Sequence, residues 1–476
     1  MTSSLRRKTL TGTVWSYAER YSVQCLHFIV MMIMARLLTP SDYGLVGMVT
    51  VFISLSQCLL DGGFSQAIIR MQDRDDGDTS TAFWFNAGMA TALYGLIWLL
   101  APAIAEFYSE PRLVAVVRVL CVSIIINSTA LVQRALITVR LDFRLQARAS
   151  VSAAGVAGVA GVTAALHGMG VWSLVIYQLT LAMVATTLIW IMAGWRPKRG
   201  FCGRAFRRMA AFGGRLTMAG IISTVYDNIY PLVIGRFFSP AILGYYSRAE
   251  HFGGFLSVNT SHVLQRVTYP LMCSMQDDDA GLRDIFLRYI RIVSFVIFPL
   301  IICIVVLSPQ VVTVALGEKW LPAAPMMSIL GLGLMLFPIH TLNLTLLQVK
   351  GRTDLYLRLE IVKKVIGVVM ICGSLYFGIM GVCAGAALNA MIGLLAGSHY
   401  TRRMIGVGQW RQLREMLPSI GCSALGAVAA YGALNISENA LIQLVAGVIS
   451  MLTVYLLACG VCGVAGINEI RRICRR

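Results

Sequence analysis

Runs of roughly twenty apolar residues recur along the whole chain, each long enough to cross a bilayer as a helix. About fourteen are predicted, near 13–35, 43–68, 83–105, 112–133, 149–167, 170–192, 212–235, 244–270, 288–308, 322–348, 357–378, 380–400, 417–434 and 440–461. The connections are short, and none has the length to fold as a soluble domain. Several runs carry polar residues at helical spacing. In span one, Ser16, Arg20, Gln24 and His27 share a face, and in span two Ser54, Gln57, Asp61 and Ser65 do the same. Span seven carries Thr224, Asp227 and Asn228. Span eight is the most polar, with Arg248, His251, Asn259, His262 and Arg266 on one strip and Ser247, Glu250, Ser257 and Ser261 beside it. Span four adds Arg118 and Asn127. Span eleven adds Glu360, Lys363 and Lys364, with Glu360 and Lys364 spaced as an i,i+4 pair. Polar side chains inside a membrane are costly and rarely face lipid. The stripes therefore predict a hydrated central cavity lined by spans one, two, seven and eight. A lone His340 or Asn343 reads as a satisfied packing residue more than as a ligand.

Two stretches repeat. ARLLTPSDYG at 35–44 and GRFFSPAILG at 235–244 share Arg, two bulky apolars, Ser or Thr, Pro, and Gly four residues later. MQDRDDGD from Met71 and MQDDDAGL from Met275 follow at nearly the same offset, which indicates internal duplication. Six spans separate the copies, so both face the same side and the halves share an axis along the membrane normal. Pro40 and Pro240 are expected to stop the preceding helix, Arg36 and Arg236 to reach the interface, and Gly44 and Gly244 to ease the return. The turns read as architecture, not as a binding site. The expected fold is all-α: an N-terminal six-helix lobe (1–200), a C-terminal six-helix lobe (201–410), and an extra pair of helices with a basic tail (411–476).

The composition agrees with a membrane protein throughout: 57% hydrophobic, 13% charged, mean hydropathy +0.74, where soluble domains are about a quarter charged. The net charge of +18 follows the topology and does not point to nucleic acid. Basic residues cluster at Arg6–Lys8, around 134–148, at 196–208, at Lys350 and Arg352, at 402–414 and at the C-terminus, which makes both termini cytoplasmic. No signal-peptide cleavage site is visible. The cysteines are scattered in apolar spans, and Cys459 and Cys462 form an isolated CxxC without a metal signature. GLLAG at 393–397 predicts close helix packing. GMGVWSL at 168–174 and LGEKWLPAAP at 316–325 read as tight turns with Trp172 and Trp320 as interfacial anchors. No nucleotide-binding, metalloprotease or nucleophile motif is present, and no enzyme is expected.

LTPSDYGLVGM at 38–48, LVQRALITVRLDFRLQARAS at 131–150, GMGVWSLV at 168–175 and LGEKW at 316–320 together resemble the polysaccharide transporter family. These are Wzx-type flippases of the MOP (multidrug/oligosaccharidyl-lipid/polysaccharide) superfamily. The resemblance implies twelve core helices in two lobes plus a terminal pair, in a bacterial inner membrane. It implies a substrate too: undecaprenyl-diphosphate-linked oligosaccharide for exopolysaccharide or lipopolysaccharide synthesis, moved by alternating access. Polymerase and chain-length regulator proteins are the implied partners, beside membrane lipids. On that reading Arg20, Gln24, His27, Arg118, Arg248, His251, Asn259 and Arg266 are candidate substrate contacts, the arginines suited to a diphosphate. Asp61, Asp227 and Glu250 are candidates to bind a driving H+ or Na+, and no bound cofactor or metal is expected. A drug/cation antiporter of the same fold is the alternative, but a cationic substrate favours an acidic, aromatic cavity. A membrane polymerase or ligase is a further alternative, and it needs a long exterior loop that this chain lacks.

Overall fold

The computed structural model describes residues 22–464 except 72, 141 and 199; at a few further positions, His262 and Arg266 among them, only the backbone is described. Ser16 and Arg20 lie outside the described residues. The described elements are helical. Nine helical stretches among them have the length and hydropathy to cross a membrane, and one bent run makes a tenth. The chain divides into two compact units at Gly244 and Tyr245.

The first unit begins with α1 (Ser22–Leu37). It continues with α2 (Pro40–Asp61), α3 (Phe64–Arg70), α4 (Asp76–Phe107), α5 (Leu113–Leu120), α6 (Val122–Ser128) and α7 (Leu131–Arg140). Then come α8 (Phe143–Leu166), α9 (Val171–Ala193), α10 (Gly203–Asp227), α11 (Ile229–Phe237) and the first turn of α12 (Pro240–Cys273). Span two is not continuous. Gly62 and Gly63 are both left-handed, at φ 45° and 69°, and break it before α3. The sequence takes span four as one piece; it bends by 40° between α6 and α7.

The repeated prolines open helices more than they end them. Pro40 is the first residue of α2, where a missing N–H costs nothing. Thr39 caps it: Asp42 N donates to Thr39 Oγ1 at 3.3 Å, and Thr39 N donates to the Asp42 carboxylate at 2.9 Å. In the second copy Ile242 N donates to Ser239 Oγ at 3.4 Å, ahead of α12. The second pair of echoes does equivalent work. Asp75 caps α4 and Asp278 caps α13 (Asp279–Val306).

The glycines of the repeat have another purpose. A Cβ on Gly44 would lie 1.8 Å from the Pro240 carbonyl oxygen, and one on Gly244 would lie 2.0 Å from that of Pro40. Each copy's glycine thus receives the other copy's proline backbone. Further along, a Cβ on Gly213 of α10 would lie 2.1 Å from Gly62 O, so α10 meets the break after α2 just as closely. Lipid removes the hydrophobic drive between helices, and close backbone approach at small residues takes its place.

The basic connection after α9 is stitched to the start of α4. Lys198 N donates to Ser80 Oγ and Cys202 N to Thr81 Oγ1, each at 3.0 Å, while Trp84 Nε1 donates to Lys198 O at 3.1 Å. Arg208 Nη2 donates to the buried Asp78 at 2.7 Å. A hydrogen bond to Asp76 holds the Lys198 ammonium above its usual pKa.

The second unit holds the rest of α12, then α13, α14 (Ser308–Ala315), α15 (Ala323–Leu334), α16 (Phe337–Val349), α17 (Thr353–Ser374), α18 (Gly378–Ile405), α19 (Gln409–Ala433) and α20 (Ala440–Val461). Its core joins Phe286, Ile290, Val293 and Ile297 of α13 to Ile339, Leu342 and Leu346 of α16 and Met416 of α19. The terminal pair is packed into this unit: Tyr455 donates to Phe295 O at 2.7 Å, and Gly447 admits Leu307 where a Cβ would meet it at 2.8 Å. Trp320 corrects the sequence reading. It is fully buried and not an interfacial anchor, because the short turn Glu318–Trp320 folds the ring inward. Tyr245 meets it edge-on at 5.9 Å and donates to Lys319 O.

Candidate functional site

In the first unit, the polar stripe of α2 opens on a cavity of about 570 Å³. Ser54, Gln57 and Asp61 line it, joined by Ser65 from α3, Asn127 from α6, Arg134 and Thr138 from α7, Gln146 from α8 and Thr224 from α10. Asp61 sits at the last residue of α2, where the glycine break exposes its side chain to the cavity. One of its carboxylate oxygens is buried without a hydrogen-bond partner among the described residues. Arg134 was missed by sequence reasoning, which counted it with the surface basics of a connection. The connection is instead a helix, and Arg134 faces the same cavity as Asp61. The cavity therefore offers one guanidinium, one carboxylate and several neutral donors, a lining suited to a hydroxyl-rich or charged ligand.

The other candidates are dispersed. His27 of α1 meets Tyr177 of α9 through Nδ1. Gln24 is half-buried on the same helix. Arg118 is turned onto the Trp98 ring, 4.2 Å from its centroid, and does not line the cavity. Asp227 is exposed and accepts from Ser223 Oγ at 3.4 Å. In the second unit Arg248 is half-buried, Glu250 and His251 are exposed, and His251 packs edge-on against Phe252. Asn259 donates back to Phe255 O at 2.8 Å. Arg20, and the side chain of Arg266, lie outside the described residues. Of the candidate substrate and ion residues named from the sequence, Asp61 alone among those described lines this cavity.

The second unit has two polar centres of its own. Asn343 of α16 is satisfied as a packing residue should be: it exchanges hydrogen bonds with Gln412 at 3.0 and 3.1 Å and accepts from Thr401 Oγ1 at 2.6 Å. His340, one turn earlier, is different. Its Nε2 lies 2.9 Å from Lys363 Nζ and 3.8 Å from Glu360 Oε1, and Lys363 and Glu360 are 3.3 Å apart. Glu360 thus meets Lys363, three residues on along α17. The glycines of GLLAG make this possible. A Cβ on Gly393 would sit 3.0 Å from Lys363 Cδ, and one on Gly397 3.0 Å from Asn343 Cβ. The close helix packing expected of GLLAG is present, and the side chains that pack against its glycines are polar.

Polar and charged side chains held inside a helical, multi-pass membrane bundle mark a functional site, such as a path for a substrate or an ion. A family model described as polysaccharide biosynthesis protein matches residues 33–325, and the chain belongs to that family. The lipopolysaccharide biosynthesis protein WzxC of Escherichia coli (strain K12) is 24% identical over 443 residues, with 89% of each chain covered. The teichuronic acid biosynthesis protein TuaB of Bacillus subtilis (strain 168) is 26% identical, covering 74% of this chain and 73% of its own. Among solved structures, the lipid II flippase MurJ in an inward closed conformation superposes with a TM-score of 0.76 over 94% of this chain and 98% of that one. At 13% identity that likeness carries the fold.

Proposed function

We propose that this protein flips undecaprenyl-diphosphate-linked oligosaccharide from the cytoplasmic to the outer leaflet of a bacterial inner membrane, for exopolysaccharide or lipopolysaccharide synthesis. The family match over 33–325, with relatives of polysaccharide-biosynthesis name along most of the chain, is the observation that carries this reading. The lining of the first unit's cavity supports it: hydroxyls and amides suit a sugar, and Arg134 suits an anion. Arg20, Arg118, Arg248 and Arg266 are the further groups proposed to engage the diphosphate, because only fixed positive charge offsets its desolvation. Gln24, His27, His251 and Asn259 are proposed to contact the sugars. Asp61, Asp227 and Glu250 remain proposed sites for a driving H+ or Na+. The finer architecture belongs to the same proposal: fourteen spans, lobes over 1–200 and 201–410, a terminal pair over 411–476, and both termini cytoplasmic. So do contacts with a polymerase and a chain-length regulator.

Deletion of the gene tests the reading. The expected result is loss of polymer with accumulation of lipid-linked repeat units in the inner leaflet, reversed by the wild-type chain. Loss of polymer without that accumulation places the step elsewhere and overturns it.

A further inference from the structure

The first unit's cavity leaves the charged centre of the second unutilised. His340, Glu360 and Lys363 come from two helices and meet within a hydrophobic span, with their side chains only 7%, 21% and 21% exposed. We propose that this cluster is a proton-exchange site that couples transport to a proton gradient and excludes sodium from that role. The proposal rests on the transport reading above, and its test separates the two.

Two observations carry it. The first is the hydrogen-bond pattern. Lys363 as an ammonium can only donate, so at 2.9 Å the Nε2 of His340 is placed to accept from it, an arrangement that suits a neutral imidazole. With Lys363 charged and Glu360 ionised, the cluster then has no net charge. One added proton changes that: it goes to Nε2, the Lys363 bond is lost, and the imidazolium turns its charge toward Glu360, already 3.8 Å away. The cluster then carries one positive charge, and the proton leaves by the reverse step. Such a swap changes the contact of α17 with α16, beside Gly393, whose missing Cβ leaves room for the Lys363 and His340 side chains packed against it.

The second observation concerns the ion. A carboxylate inside a membrane span invites a cation, and here the place next to Glu360 is filled by a tethered ammonium at 3.3 Å. Sodium would have to displace Lys363 from Glu360 and leave its charge without a carboxylate in a low-dielectric site. A proton needs no such vacancy.

The groups facing the cluster are few. On α17, Tyr356 lies one turn before Glu360 and feels its charge, and Lys364 adjoins Lys363. On α18, the stretch between Cys383 and His399 has no titratable side chain. On α13, Tyr289 belongs to the core that packs against α16.

The test uses the full-length chain in nanodiscs and in proteoliposomes. Histidine-selective 15N NMR, with His340 assigned through His340→Gln, is expected to show this imidazole changing protonation between about pH 5 and 8. The midpoint should move in Glu360→Gln and in Lys363→Met. In proteoliposomes loaded with a fluorescent undecaprenyl-diphosphate-linked disaccharide, a pH gradient should drive wild-type transport and a sodium gradient should not. Glu360→Gln, Lys363→Met and the charge-neutral double variant should each lose about fivefold or more of the pH-driven rate. The double variant guards against misfolding, since removing both charges leaves neither unpaired. If His340 keeps one protonation state over that range, or if the folded double variant retains wild-type pH-driven transport, the cluster is a structural ion pair and the proposal fails. If His340 titrates as expected but the wild-type chain moves no lipid-linked sugar, the site stands and the transport reading falls.

Discussion

Gly44→Ala makes the most direct test of the paired turns. The new methyl would lie 1.8 Å from the Pro240 oxygen, where ordinary contact begins at 3.4 Å, so the backbones must part by about 1.6 Å. No flexible side chain can yield, because the opposing atoms are backbone. Overpacking of this kind costs about 1–3 kcal/mol. If the contact forms in one transport state and opens in another, the same energy shifts their ratio by roughly 5–150-fold. Gly244→Ala should behave alike, since its methyl would lie 2.0 Å from Pro40 O. The double variant should cost less than the two together, because the first separation makes room for the second methyl. Gly95→Ala is the control, with nothing within 4 Å of the added carbon. The assay is thermal unfolding by tryptophan fluorescence in detergent, together with maleimide labelling of a cysteine placed at Ser41. Gly44→Ala is expected to lower Tm by about 3 °C or more and to raise the labelling rate. Equal Tm values and labelling rates for Gly44→Ala and Gly95→Ala would refute the reasoning.

Asp78→Ala should destabilise by about 1–3 kcal/mol, since it removes both the reciprocal cap with Asp75 and the partner of Arg208; urea unfolding in mild detergent reads this directly. Trp320→Ala should cost about 3–5 kcal/mol as a buried cavity, while Trp320→Phe costs less, which separates a core role from an interfacial one. Arg20→Ala and Arg248→Ala are expected to abolish polymer export with normal membrane levels, whereas Arg207→Ala, exposed at the surface, should be nearly silent; equal effects in complementation would end the cationic-path idea. Asp61→Asn should abolish export with little loss of stability, because the buried oxygen it alters has no hydrogen-bond partner among the described residues.

The apolar runs located the helices well in their middles and poorly at their ends. The run near 288–308 is the hydrophobic part of a helix beginning at Asp279, whose first turns are polar because they leave the apolar layer. The breaks were harder to see. Gly62–Gly63 interrupts an apolar run without changing its hydropathy, although two adjacent glycines were a signal. The α2 stripe was legible because four polar residues at helical spacing share a face by geometry alone, and Ser54, Gln57, Asp61 and Ser65 all reach one cavity. Arg134 and Arg118 were not, since a count of charges cannot tell a helix from a connection or a lipid-side ring from water. The His340 cluster depends on the pairing of α16 with α17 and on the room left by Gly393. Neither is a property of any short stretch of sequence.

The meeting of Gly44 with Pro240 and of Gly244 with Pro40 has the form of an isologous interface, in which one patch meets its own copy across a two-fold axis. In a homodimer every substitution at such a patch is made twice and must be tolerated in both places. Fused in one chain, the two sides are free to differ. Thr39 and Asp42 bond to each other in one copy, while the other has Ser239 and Ile242 at the same places. The chain thus keeps the symmetry where backbones touch, and elsewhere each turn can be altered alone.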